Sequence, residues 1–224
     1  MSFIVIEGLD GAGKSTQLKM LAEWYQNKGV ACETLHFPRT DSPFFGELIA
    51  RFLRGELGSL NQVDPYVVAM LYAGDRRDAS GILNKWLDEG KTILLDRYVY
   101  SNIAFQCAKV ENEEGQKQLR DWIYNLEFDY FKIPKPTASI FLDVPFNFTE
   151  SRLKSNRIGD DRDYLKGSVD IHEDDLGFQQ RVRRVYLQQP NFDSLFSVVP
   201  CTDSSGLMAS KNDIFKRIVS LIED

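Results

Sequence analysis

The chain has only three cysteines, Cys32, Cys107 and Cys201, set far apart and without a C-x-x-C pair. That spacing excludes a disulfide framework and a cysteine zinc site, and leaves each as a small buried apolar residue. No apolar run is long enough to cross a bilayer, so no membrane partner is expected. Met1-Ser2 leads directly into strand-like sequence, with no room for a signal peptide, and a reduced, cytoplasmic setting is the expectation. Internal repeats, low-complexity tracts and interdomain linkers are absent, so residues 1–224 are expected to form a single domain. Positive charge is in deficit: Lys and Arg number 27 against 33 Asp and Glu, a formal net charge of -6. The deficit argues against a nucleic acid as partner and leaves room for a local basic pocket.

What is present reads as alternating strands and helices. Phe3-Ile4-Val5-Ile6 runs into a glycine-rich turn and then a helix-forming stretch at 17–26. Further strands are expected at 32–37, 92–95, 139–144 and 196–199, the third apolar throughout, as suits burial on both faces of a parallel sheet. Helices are expected at 44–53, from Asp64-Pro65 towards Trp86 with a break near Gly74 or Gly81, and at 101–108 and 115–131. Three more follow: one opened by a capping box at Asn147 and Glu150, one at 178–187, and one capped by Ser210 and Asp213. The pattern implies an α/β fold, a five-stranded parallel sheet with helices on both faces, whose ligand crevice lies at the carboxyl ends of the strands. Residues 157–175 are rich in charge and glycine, and a short mobile lid is expected within about 152–176.

Residues 8–15 fit the pattern G-x-x-x-x-G-K-[ST]. Gly11 and Gly13 can take backbone angles that aim successive N–H groups inward, and these, with the positive end of the next helix, form a nest for phosphate. ATP contacts are therefore expected from Gly8, Gly11, Ala12, Gly13, Lys14, Ser15 and Thr16. Lys14 would reach the β- and γ-phosphates as a catalytic cation, and the Ser15 hydroxyl would ligate Mg²⁺. Two classes of protein use such a loop. A switch-type NTPase couples hydrolysis to movement, and its guanine-binding members carry N-K-x-D, to which Asn84-Lys85-Trp86-Leu87 comes nearest without the aspartate. A small kinase instead needs a second anion site facing the first, and a lid that excludes water. Arg39 after the second strand, Arg97 after the third and Arg76, with the arginines of the 152–184 region, could furnish that site and the lid.

The stretch from Gly8 to Gln17, Phe37-Pro38-Arg39, the stretch from Tyr72 to Arg76, and Asp96-Arg97-Tyr98 with Ser101 together resemble the thymidylate kinase family of P-loop nucleoside monophosphate kinases, nearly end to end. The resemblance implies phosphoryl transfer from ATP to dTMP with Mg²⁺, a homodimer, and a set of roles. Asp10 would accept from the deoxyribose 3′-hydroxyl. Arg39 and Arg97 would hold the dTMP phosphate, a task suited to planar guanidinium groups. Tyr72 would stack on thymine and Arg76 would bond its edge; helical spacing puts both on one face, although Tyr72 taken alone suits a core. Phe37, Tyr98, Ser101 and Phe105 would complete the pocket, Asp96 would act near Mg²⁺ through water, and Arg152 and Thr202 would flank adenine. The apolar stretches 67–72 and 103–105 would supply either a dimer interface or core.

Two departures from the family pattern stand out. Gly11 occupies a position where some relatives carry arginine, and Asp170-Ile171-His172-Glu173 stands where many bacterial relatives have D-R-[FYI]-E. Arg157 or Arg162 is therefore expected as the catalytic lid arginine. His172 is expected to be a lid contact or an exposed residue, since an acceptor that is already an anion needs no general base.

Overall fold

The computed structural model describes residues 2–154, 164–166, 170–172 and 175–223, with the backbone only for 152–154. Five parallel strands form the sheet, β1 (Phe3–Gly8), β2 (Cys32–His36), β3 (Thr92–Asp96), β4 (Ala138–Asp143) and β5 (Phe196–Pro200), in the order β2-β3-β1-β4-β5. β1 lies at the centre, with Val5 in register with Leu95 on one side and Ser139 on the other. Side chains of a strand alternate between faces, which divides the core. Phe3, Val5, Ile93, Leu95 and Phe141 pack beneath α3 (Pro65–Asp88), α4 (Val99–Cys107), α5 (Glu113–Tyr124) and α7 (Leu176–Gln188). Ile4, Ile6, Leu94, Ile140 and Leu142 face α1 (Lys14–Asn27) and α8 (Lys211–Glu223). Both faces are thus covered, as the apolar strands require. Burial pushes the thiols of Cys107 and Cys201 up to about 12, and all three cysteines are free. Among the described residues no helix is long and apolar enough to cross a membrane.

Several boundaries differ from the sequence expectation for identifiable reasons. α3 starts as expected, with Asp64 accepting from Tyr66 N at 2.8 Å, but runs unbroken through Gly74 and Gly81. A Cβ at Gly74 would lie 2.2 Å from the ring of Phe45 on α2 (Phe45–Leu53), so this glycine admits a neighbour and does not end the helix. α4 begins at Val99 and is buried along its whole length, which makes Ile103, Ala104 and Phe105 core and removes them as interface. α5 starts under an Asn112 cap, with Gly115 N donating to Asn112 Oδ1 at 2.6 Å, and passes into a π-helical turn at Asn125–Tyr130. α6 (Phe146–Lys154) is already under way at Asn147, so no capping box opens it; Pro145 O accepts from Phe148 N at 2.9 Å. Ser210 caps α8 as expected, accepting from Asp213 N at 3.2 Å.

Two contacts fasten the described lid residues to the end of α2. Ile171 N donates to Leu53 O at 3.1 Å, and Arg54 Nη1 donates to Tyr164 O at 2.6 Å. The other end of α2 is equally constrained, because a Cβ at Gly46 would lie 2.0 Å from the carbonyl oxygen of Arg39. A backbone atom cannot step aside as a side-chain tip can. Gly46→Ala should therefore destabilise the protein by about 1–3 kcal/mol in thermal unfolding, and an unchanged melting temperature would show that the loop at Arg39 yields freely.

Candidate active site

The strand β1 delivers the chain into a loop whose shape follows from its glycines. Gly11 and Gly13 have φ of 76° and 84°, in the left-handed region that a side chain disfavours. Gly13 opens α1 without any side-chain cap, so the first N–H groups of that helix are left for an anion. Lys14 folds back over the loop, its Nζ 3.2 Å from Leu9 O and 3.8 Å from Asp96 Oδ1. Burial, and then the charge of Arg97, push the Lys14 ammonium below its ordinary pKa, a cost that a bound phosphate would relieve. Ser15 Oγ donates to Asp96 Oδ2 at 3.4 Å, while Asp96 Oδ1 is buried and has no hydrogen-bond donor. Burial opposes ionisation of Asp96, but Lys14 and then His36 outweigh it and hold the carboxyl below the usual range. A hydroxyl beside a carboxylate with a spare oxygen fits a hard divalent cation. Among the described residues no group of three or more His, Cys, Asp or Glu could enclose a metal, so such a cation would be shared with bound phosphates.

Arg97 is held from both sides. Its Nη2 donates to Asp10 Oδ1 at 2.8 Å and its Nη1 to Ser101 Oγ at 3.1 Å. Its backbone has φ of 65°, a strained value for a side chain with a Cβ, and its N–H donates to Ile6 O at 3.0 Å. Beneath it lies Glu7, fully buried in β1. Glu7 accepts from Tyr98 N at 2.9 Å, Ser101 Oγ at 2.5 Å and Tyr186 OH at 3.0 Å. Burial raises the Glu7 pKa, against the opposing pull of Ser101 and Arg97. Ser101 and Tyr98 thus serve the frame behind the pocket as well as its wall.

A cleft of about 860 Å³ runs from Lys14 and Ser15 past Arg97 to Tyr72, Arg76 and Asn102. It gathers Asp10, Phe37, Arg39, Tyr98, Ser101 and Phe105, residues scattered over the first half of the chain. Arg76 is 2% exposed and makes a two-pronged pair with Glu127, one prong Nη2 to Oε1 at 2.7 Å. Asn102 Nδ2 donates to the same carboxylate oxygen at 3.0 Å, and its own Oδ1 is buried without a partner. Arg39 is tied to α3, its Nε donating to Asp75 Oδ1 at 2.8 Å and its Nη2 to Asp78 Oδ2 at 2.6 Å. Phe105 packs against His172, with ring centres 5.0 Å apart. His172 is buried, so it is a contact and not an exposed group, and burial, then Lys109, hold its pKa well below the ordinary value.

The remaining candidates fall elsewhere. Thr202 follows β5 on the same edge of the sheet but does not line the cleft; its carbonyl accepts from Arg217 Nη1 at 3.0 Å. Arg157, Arg162 and the side chain of Arg152 lie outside the described residues. Glu127, Asp75 and Asn102 were not singled out by sequence, for each sits within an ordinary helical pattern. Glu7 did leave a signal, as a carboxylate at the end of an otherwise apolar buried strand.

The family model described as thymidylate kinase matches residues 6–212. The chain belongs to the thymidylate kinase family. A protein named probable thymidylate kinase from Thermococcus kodakarensis is 31% identical over 99% of this chain and 97% of its own length. The thymidylate kinase of Mycobacterium tuberculosis is 33% identical over 83% of this chain and 84% of its own. A solved thymidylate kinase from Candida albicans, whose title speaks of the origin of broad substrate specificity, superposes with a TM-score of 0.72 at 25% identity, covering 99% of this chain and 91% of that one. Membership of the thymidylate kinase family makes the chain an ATP-dependent nucleotide kinase and sets aside the switch-type NTPase.

The buried pair of Arg76 and Glu127 carries a measurable consequence in this thymidylate kinase fold. Glu127→Ala would leave Arg76 buried with its charge uncompensated. Denaturant unfolding should show a loss of about 3–5 kcal/mol; a loss below about 1 kcal/mol would mean that Arg76 finds water or another acceptor.

Proposed function

We propose that this kinase transfers the γ-phosphoryl group of ATP to dTMP, giving dTDP. The observation that carries the reading is the continuity of the cleft, which joins the phosphate loop at Lys14 and Ser15 to Tyr72, Arg76 and Asn102. Thymine presents a carbonyl at C4 beside an N–H at N3. Arg76 donates to the first and the unpartnered Asn102 Oδ1 accepts from the second, while the ring of Tyr72 covers the face of the base. Asp10 accepts from the 3′-hydroxyl. Arg97, already fixed by Asp10 and Ser101, orients the acceptor phosphate, and Arg39 supplements it from the edge of the cleft.

An oxygen of the dTMP phosphate attacks the γ-phosphorus, the bond to the β–γ bridging oxygen breaks, and ADP leaves with that electron pair. Charge spreads over the moving group, and Lys14 with the N–H groups of the loop stabilises it. Gly8, Gly11, Ala12, Gly13 and Thr16 complete the cradle, and Arg152 and Thr202 flank adenine. Ser15 would hold Mg²⁺ directly and Asp96 through water; when bound, the ion would neutralise charge on the β- and γ-phosphates. We take residues 1–224 as one kinase domain, and free thiols support a cytoplasmic setting. Two copies would pair through α3, where Val67 and Met70 are 53% and 50% exposed.

A coupled ADP-release assay across nucleoside monophosphates tests the reading. dTMP should be preferred, with dUMP weaker by roughly 10- to 200-fold for its missing methyl group, and AMP, CMP and GMP little used. Preference for AMP would overturn it. The lid carries a second expectation, since Gly11 and Ile171 offer no charge to the transferring group. Arg157 or Arg162 would provide it, Arg157 being the nearer to α6 in the sequence. Arg157→Ala or Arg162→Ala should lower kcat at saturating substrates by about 10³-fold or more. If both single variants and the double variant stay within a few-fold of the parent, neither arginine has that role.

A further inference from the structure

A chain of hydrogen bonds runs from the end of α2 to the lid residues that line the cleft. Arg54 directly follows α2, and its side chain is 9% exposed. Its Nε donates to Glu56 Oε1 at 2.5 Å, and its Nη1 donates to Tyr164 O at 2.6 Å, across 110 residues of sequence. Two donors of one planar group are thus used in different directions, which leaves the guanidinium little freedom to turn. The Tyr164 hydroxyl donates in turn to Asp170 Oδ2 at 2.8 Å, and Asp170 Oδ1 accepts from His172 N at 2.8 Å. From the other side, Gln179 Nε2 on α7 donates to His172 O at 2.7 Å. Tyr164, Asp170 and His172 line the cleft, whereas Arg54 stands behind them. Apolar packing follows the same path. Ile49, Phe52, Leu53 and Val68 form a buried cluster, and Tyr72, Tyr164 and Ile171 pack against it. The lid residues and the ring that covers the base therefore rest on one support. Ile171 stands where many bacterial relatives have arginine, and its apolar side chain gains from burial on α2.

We propose that Arg54 is a positioning residue for the monophosphate half of the reaction: acting through Tyr164 and Asp170, it holds the lid wall of the cleft in place before dTMP arrives. The proposal rests on the thymidylate kinase reading of the cleft. A wall formed in advance spares the ligand the cost of ordering it, so the effect of Arg54 falls on dTMP. The Lys14 and Ser15 end of the cleft is built on β1 and α1 instead, so ATP is bound independently of Arg54.

The test uses the full chain. Arg54→Met keeps much of the side-chain volume and removes the donors. It should lower kcat/KM for dTMP by about 10- to 100-fold, the range for a lost hydrogen bond to a charged group, mostly through KM, and leave KM for ATP unchanged. Tyr164→Phe, which removes the hydroxyl that reaches Asp170, should act in the same direction. The double variant should lose clearly less than the product of the two separate effects, since both changes cut one chain. Arg54→Lys, which keeps a charged donor, should recover part of the loss. Arg51→Met removes a neighbouring arginine whose bond goes to Glu56, and should match the parent. Hydrogen exchange without nucleotide reads the same link independently of turnover. The Ile171 amide, which donates to Leu53 O, should exchange about 10- to 100-fold faster in Arg54→Met. If Arg54→Met fails to fold, Tyr164→Phe decides by the same readings. Equal losses for ATP and dTMP would overturn the proposal, as would independent effects of the two changes or an Ile171 amide that exchanges as in the parent. Absence of dTMP turnover in the parent would count against the thymidylate kinase reading, while exchange at Ile171 would still decide whether Arg54 holds the wall.

Discussion

The cleft depends on one buried carboxylate. Glu7 sits in the central strand beside the start of the phosphate loop, with no exposure to water. A buried carboxyl group is costly unless its oxygens are bonded, and here they are bonded to three different parts of the chain. Tyr98 N and Ser101 belong to the turn after β3 and the start of α4, and Tyr186 to α7. The carboxylate thereby sets the position of Arg97 relative to the loop and holds that arginine in a backbone conformation it would not adopt alone. The strain of roughly 1–3 kcal/mol that such a conformation carries is offset by the bonds on either side of it.

The same arrangement recurs at the other arginines. Arg97 faces Asp10, Arg76 faces Glu127, and Arg39 faces Asp75 and Asp78. In each case part of the guanidinium is bound by the protein. A planar fork fixed in this way loses little rotamer freedom when a ligand arrives. The arrangement also moderates charge. Cations close enough to bind a dianionic phosphate would repel one another, and the intervening carboxylates hold that repulsion down.

The fold was largely legible because its signals were local. The apolar run of β3, the glycines and lysine of the phosphate loop, and the Asp64-Pro65 helix start each have a short-range physical cause. The site was legible where a loop follows a strand, as with Asp10, Arg39, Asp96 and Arg97. It was not legible where a partner comes from a distant helix. Nothing in the sequence around Glu127 marks it as the counter-charge of Arg76, which lies 51 residues away. The interruption expected in α3 failed for a similar reason, since the ring that requires Gly74 belongs to another element. The burial of His172 is likewise tertiary, created by Phe52, Phe105 and Phe178.

The uncapped start of α1 has a consequence outside catalysis. Its N–H groups have no side-chain cap and burial disfavours the Lys14 ammonium, and an anionic ligand meets both only in the folded state. A nucleotide at 100 times its dissociation constant adds about 2.7 kcal/mol to the free energy of unfolding. The lifetime of the folded chain in a cell would then follow the supply of nucleotide. Starvation for ATP would then expose the enzyme to proteolysis as well as slow it.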